Sequence, residues 1–147
     1  MANPQVQMIL DNASTTIIKV TGYYSGSDSS NTVILNPKTL VFANTSQTPI
    51  VDISRVQHCV DLAGAAVVQL YYEGGTSTAI YNYGGSSAGS LDALIPNNAT
   101  TPTGNIGLQT IGVAAGDTYD FIIQLNKDKD KGFANVYNAY NSTYNYG

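Results

Sequence analysis

Apolar side chains recur at every second position of this chain far more often than at the 3.6-residue spacing of a helix, and clusters of Gly, Asn, Pro and Ser separate the runs. Successive side chains of a strand point to opposite faces, so the alternation predicts half-buried β-strands. In residues 15–21, Thr16, Ile18 and Val20 share one face and Ile17, Lys19 and Thr21 the other. Residues 118–125 repeat the pattern, with Tyr119, Phe121, Ile123 and Leu125 inward and Thr118, Asp120, Ile122 and Gln124 outward. Further strands are predicted at 5–10, 32–35, 39–43 and 105–112, with a tight turn at Asn36-Pro37-Lys38, where proline fixes φ and lacks an N–H.

Two segments carry more specific expectations. Residues 49–62 would span nearly 50 Å if fully extended at ~3.4 Å per residue, too long for a globule with a radius of gyration of about 15 Å. Val51 and Ile53 are apolar at odd positions, whereas Val56, Val60 and Leu62 are apolar at even ones, so a β-bulge or sheet switch is predicted near Ser54-Arg55. Residues 66–73 and 76–83 read as a hairpin closed by Gly74-Gly75, two residues that tolerate φ > 0. That register sets Val68 opposite Tyr81 and Leu70 opposite Ala79, with Gln69, Tyr71, Thr78 and Asn82 on the other face. Residues 84–90 and 96–104 read as loops, and 90–95 as at most one short helical turn. The fold class expected is all-β: a single antiparallel β-sandwich, jelly-roll or Greek-key in topology, of about eight short strands over residues 1–131.

Composition narrows the function. Charged residues make up 11% of the 147, against a usual share of about 25%, and the formal net charge is −4. No basic field exists to hold a nucleic acid or an anionic membrane, so neither is expected as a partner. No apolar run approaches the ~18 residues of a membrane helix. The single cysteine, Cys59, cannot form an internal bridge, and the first twenty residues lack the pattern of a secretory signal, which together predict folding in a reducing cytoplasm. A low-charge surface with 11 Tyr and 14 Gly suits a protein packed against neighbours.

Tests for chemistry assign no catalytic, cofactor or metal residue. Gly85-Ser86-Ser87-Ala88-Gly89 matches G-x-S-x-G, but the only histidine, His58, precedes Ser87, and no substantial helix is predicted after it. His58 and Cys59 are neighbours on a strand and point to opposite faces, so they do not grip one ion; His58 is expected to be partly buried and hydrogen-bonded, and Cys59 a passive thiol. Residues 126–132, Asn-Lys-Asp-Lys-Asp-Lys-Gly, alternate oxygen ligands as a calcium loop does, but the glycine falls one place late and Tyr137 stands where a bidentate glutamate belongs, so a solvated turn is expected. No pair of acidic residues suggests glycosidase chemistry, and four N-x-S/T sequons carry no meaning without secretion.

The tail, residues 132–147, interleaves Phe133, Tyr137, Tyr140, Tyr144 and Tyr146 with asparagines. The first four rings fall on one helical stripe, and an extended form that wraps a surface fits equally. In either form the rings need a cover. The tail either folds back on its own domain or docks as an arm on an adjacent subunit, which makes these five residues the candidate protein interface.

The strand Thr16-Ile17-Ile18-Lys19-Val20-Thr21, the turn Thr32-Val33-Ile34-Leu35-Asn36-Pro37 and the strand Asp52-Ile53-Ser54-Arg55-Val56 lie within residues 14–61, about a third of the chain. This segment resembles virion structural proteins of marine tailed bacteriophages. The resemblance implies a non-enzymatic virion protein, above all a capsid decoration or cement protein that binds the assembled head and reinforces it. Head–tail connector and tail components are near in role. It also implies the major capsid protein or other virion proteins as partners, a homo-oligomer such as a trimer, and no catalytic residues. The adhesive elements expected are the Tyr/Asn tail and an exposed strand edge near the amino terminus. The alternative is a carbohydrate- or receptor-binding β-module of a fibre or knob that stacks sugars on Tyr rings, although tryptophan, the largest platform, is absent. A hydrolase built on Ser87 is the third reading.

Overall fold

A strand that is apolar on one face must lay that face against another layer, and the chain does this with two antiparallel sheets. The computed structural model describes residues 4–26 and 30–133. Among these, β1 (Gln5–Asp11), β2 (Thr15–Tyr23), β3 (Asn31–Leu35), β4 (Val51–Asp61), β5 (Val67–Thr76), β6 (Thr78–Gly84), β7 (Ser86–Leu91), β8 (Thr100–Ile111) and β9 (Thr118–Lys127) follow in order. One sheet has the order β1-β2-β9-β4-β7 and the other β3-β8-β5-β6. The pairing is nested: β2 with β9, β3 with β8, β4 with β7, and β5 with β6. A long hairpin of four such pairs, rolled so that β4 also meets β9 and β5 also meets β8, is a jelly roll. β1 is an addition at the outer edge of β2.

The core forms where the inward faces meet. Ile18 and Val20 of β2, Phe121, Ile123 and Leu125 of β9, and Val51, Ile53 and Val56 of β4 are all buried, facing Val68, Leu70 and Tyr72 of β5 and Ile106 and Leu108 of β8. The alternations read in β2 and β9 are therefore the true faces. The predicted kink is present as well: the register of β4 on β9 shifts between Ile53 and Arg55, and Ser54 Oγ donates to the Gln124 carbonyl at 3.2 Å. That extra residue lets Ile53 and Val56, three apart, both point inward.

Other expectations need correction. Gly74-Gly75 is not the hairpin turn; β5 runs through both glycines to Thr76, and neither has a positive φ. Their role is close approach, since a Cβ on Gly74 would lie 2.5 Å from the Thr100 carbonyl oxygen where β5 pairs with β8. The register moves with the turn, so Val68 faces Tyr83 and Leu70 faces Tyr81. A shift of two keeps the side chains from Val67 to Leu70 on their predicted faces, and Gln69 and Asn82 still share the outer one, bonded at 2.8 Å; past a bulge between Leu70 and Tyr71, Thr78 pairs with Tyr72 and not with Tyr71. Residues 86–91, expected as loop and the start of a helical turn, are the edge strand β7; Ser, Ala and Gly leave its faces exposed but do not prevent backbone pairing with β4. β8 begins at Thr100, inside the expected loop. Residues 39–43 are not a strand: Asn36 caps a 3-10 turn at Pro37–Thr39 by accepting from the Lys38 amide at 3.1 Å, with proline at the first position, where its missing N–H costs nothing.

Two glycines lie under aromatic rings on the paired strand. Gly22 faces Tyr119 in one sheet and Gly107 faces Tyr71 in the other, and a Cβ would fall 2.0 and 2.1 Å from the respective ring. The Tyr71 hydroxyl then reaches Asn31 Oδ1 on β3. Gly107→Ala should displace that ring and lower unfolding stability by about 1–3 kcal/mol in chemical denaturation, with Tyr71→Ala partly relieving the added methyl.

Candidate functional site

Three places on the described surface gather chemistry-bearing side chains. The first is the corner where β4 meets the edge strand β7. Pairing sets His58 opposite Gly89 and Val60 opposite Ser87, and His58 Nε2 lies 3.3 Å from Ser87 Oγ. Gly89 makes room for the imidazole, because a Cβ there would sit 3.2 Å from His58 Cε1. The ring packs at 4.7 Å from Tyr83, which contacts Tyr81 and Phe121 at 4.8 and 4.9 Å. His58 is thus partly buried and hydrogen-bonded, as expected. The contact is a serine–histidine pair without an orienting acid: among the described residues no carboxylate bonds His58, and Asp61 accepts instead from Ser86 Oγ at 2.6 Å. Cys59 is exposed on the other face of β4. It lines a shallow depression of about 240 Å³ with Lys19, Gln57, Asp120 and Ile122.

The second place holds the former calcium candidate. β9 ends at Lys127, whose side chain is fully buried. Its Nζ donates to Asp11 Oδ1 at 2.5 Å, the Asn12 carbonyl at 2.6 Å and the Val41 carbonyl at 2.9 Å, which uses all three ammonium protons. Asp11 in turn accepts from Thr16 Oγ1 and the Val41 amide. Lys131 Nζ reaches Asp52 Oδ2 at 2.5 Å, and Asp52 also accepts the Asn97 amide. Asp128 caps the 3-10 turn Lys129–Lys131 at the Asp130 amide, and Gly132 ends it with φ +90°. Lys127 and Lys131 therefore serve as internal counter-ions rather than as parts of a solvated turn. No group of three or more metal-ligating side chains occurs among the described residues. The signal in the sequence was a lone cation at the end of an apolar strand, but its partner Asp11 lies 116 residues away.

The third place is β1. Val6, Met8, Ile9 and Leu10 are 40–51% exposed, with Val41 and Phe42 comparable beside them. This is the exposed amino-terminal strand edge that the sequence suggested. Of the five tail residues named as an interface, Phe133 is buried in the core cluster, forms a β-bridge with Ala43, and lies 5.5 Å from Lys127 Nζ. Tyr137, Tyr140, Tyr144 and Tyr146 lie outside the described residues.

Buried tyrosines dominate the titration. Burial pushes the Tyr83 hydroxyl up to about 12, the nearby Tyr81 adding to it. Burial pushes Tyr72 higher still; its hydroxyl accepts the Ile53 amide at 2.9 Å and donates to the Ile95 carbonyl.

No family model matches the chain, and no curated protein matches it. Among solved structures it is similar to the crystal structure of the infectious bursal disease virus VP2 subviral particle, at 15% identity and a TM-score of 0.32, over 88% of this chain and 34% of that one. The chain spans about a third of the length of that structure's chain.

Two outcomes follow for the buried polar groups. Lys127→Met leaves Asp11 with no cation in a site only 15% exposed and should cost about 3 kcal/mol in denaturant unfolding, part of which Asp11→Asn in the same chain should restore. Because the folded pKa values of Tyr72 and Tyr83 lie above the unfolded value of 10.0, the contribution of these two hydroxyls should be constant below about pH 9 and stability should fall as pH rises through 10 toward about 12. Tyr83→Phe, which removes a buried hydroxyl without a partner among the described residues, should raise stability by about 1 kcal/mol and soften that alkaline loss.

Proposed function

We propose that this chain is a virion structural protein of capsid-decoration type, which binds an assembled bacteriophage head through its neutral surface. The observation that carries the reading is the nested strand pairing, because the jelly roll is an architecture shared by viral capsid and lectin domains. A fold hosts many functions, so the surface must agree with it. It does: charge is sparse, apolar side chains including Tyr81, Leu94 and Ile122 stand exposed, and the described depressions are shallow. The resemblance of residues 14–61 to phage virion proteins points the same way. Each contact on a shell can be weak when many copies sit on one lattice and hold it together.

On this reading the partners are the major capsid protein or other virion proteins, the protein is a homo-oligomer such as a trimer, and it carries out no chemistry of its own. Purified protein mixed with phage heads that lack it should co-sediment with them to a saturating copy number. Protein left in the supernatant at saturating concentration overturns the proposal.

A further inference from the structure

We propose that β1 pairs with β1 of a second copy, antiparallel about a two-fold axis at Gln7, which goes beyond shell binding and makes the homo-oligomer a dimer with its two five-stranded sheets joined edge to edge. β1 is the outermost strand of its sheet, and no strand among the described residues pairs with its outer edge. On the inner side Val6 lies opposite Val20 and Met8 opposite Ile18, so both point to the inner face. Val20 and Ile18 are buried there, yet Val6 and Met8 are 44% and 45% exposed, and Ile9 and Leu10 follow at 51% and 40%. Residues 6–10 carry no proline and no cation, the devices that usually blunt an edge. A bulge between Met8 and Leu10 is the one irregularity, and it leaves the stretch before it in register.

Antiparallel strands match when residues that stand opposite each other point to the same face. An axis at Gln7 meets that condition within the regular stretch. Val6 of each copy then stands opposite Met8 of the other on the inner face, and Gln7 meets Gln7 on the outer face. The inner pairs bring apolar side chains together as cross-strand neighbours. On the outer face each glutamine amide can donate one hydrogen bond to the other and accept one in return. A two-fold contact of this kind uses the same edge on both copies and is closed, so pairing stops at two.

Charge favours a second copy as the occupant. Residues 5–10 hold no ionisable side chain, and Asp11 beyond them is held by Lys127 at 2.5 Å. The nearest like charges across the axis are the two Lys19 side chains, since Lys19 pairs with Gln7 of its own chain. They lie three strand spacings apart, about 14 Å, beyond the ~8 Å screening length of physiological salt. The area sets the strength. The side chains of residues 6–10, roughly 150–200 Å² each and about half exposed, offer about 400–500 Å² per copy, at the low end for a specific interface. A weak dimer follows, with a dissociation constant of about 10–100 µM.

Sedimentation of the isolated full-length protein tests this without phage heads, so its failure leaves the shell-binding reading standing. The protein should pass from monomer to dimer between about 1 µM and about 1 mM, and its β1 amides should gain protection from hydrogen exchange over the same range. Gln7→Lys, at an exposed position outside the core, sets two ammonium groups face to face and should raise the dissociation constant at least ~5-fold. An equimolar mixture of Gln7→Lys and Gln7→Glu chains sets opposite charges across the axis and should dimerise at least as tightly as the unsubstituted protein. Equal protection of the β9 amides in all three chains checks that each is folded. A chain still monomeric at about 1 mM, with β1 exchange that ignores concentration, overturns the proposal and assigns the edge to its own chain or to another virion protein. So does a dimer indifferent to Gln7→Lys, or a mixture that binds no tighter than Gln7→Lys alone.

Discussion

The sheet that carries β1 is incomplete until the last strand of the described chain arrives. β9 lies between β2 and β4, and its pairing with β2 joins Thr15 to Asn126. Without β9, β2 and β4 lose a shared neighbour, and Phe121, Ile123 and Leu125 are missing from the core. Burying side chains of this kind contributes roughly 1.5–3 kcal/mol each, and the gain comes only after the connecting chain has been ordered. Closing a loop of this length is costly in rate more than in stability, because the entropy grows only with the logarithm of its length. Lys127 stands at the end of the same strand. Its three donors tie β9 to Asp11 and Asn12 at the β1–β2 turn and to Val41 after the 3-10 turn, so docking β9 also fixes the far end of β1 and the place where Phe133 enters the core.

What the sequence reveals depends on whether a residue announces itself through its neighbours or through a distant partner. β2 and β9 are legible because each buries one face, and the bulge at Ser54 is legible because the apolar parity changes around it. β7 is not, because Ser86–Leu91 buries almost nothing and has no face to betray. Missing β7 also hides the contact between Ser87 and His58, since their approach comes from the β4–β7 register. Gly74-Gly75 misleads for a related reason. A glycine pair suits a turn and equally suits a strand pressed against another backbone, and only the position of Thr100 distinguishes the two. The lysines near residue 130 read as solvated because their acceptors, Asp11 and Asp52, come from strands far earlier in the chain.

The polar side chains of the described residues are largely committed to holding backbone and one another. At the β4–β7 corner, Ser87 and His58 meet with no orienting acid among the described residues, whereas the carboxylates Asp11, Asp52 and Asp117 are all engaged in holding backbone amides or lysines. Asp117 takes the Ala63 and Ala114 amides on its two oxygens and so joins the loop after β4 to the one before β9. Such carboxylates serve the fold, and each stays satisfied where it stands.

A sparsely charged exterior leaves a protein exposed to unwanted self-association, and edges are the dangerous part of any sheet. The four pairings of the jelly roll leave β3, β6 and β7 as edges, and β1 takes over the edge beside β2. β7 is short and built of Ser, Ala and Gly apart from its terminal Leu91, so its side chains offer little to a neighbouring strand. β1 is the opposite case: apolar on both faces, with a single bulge to disturb it.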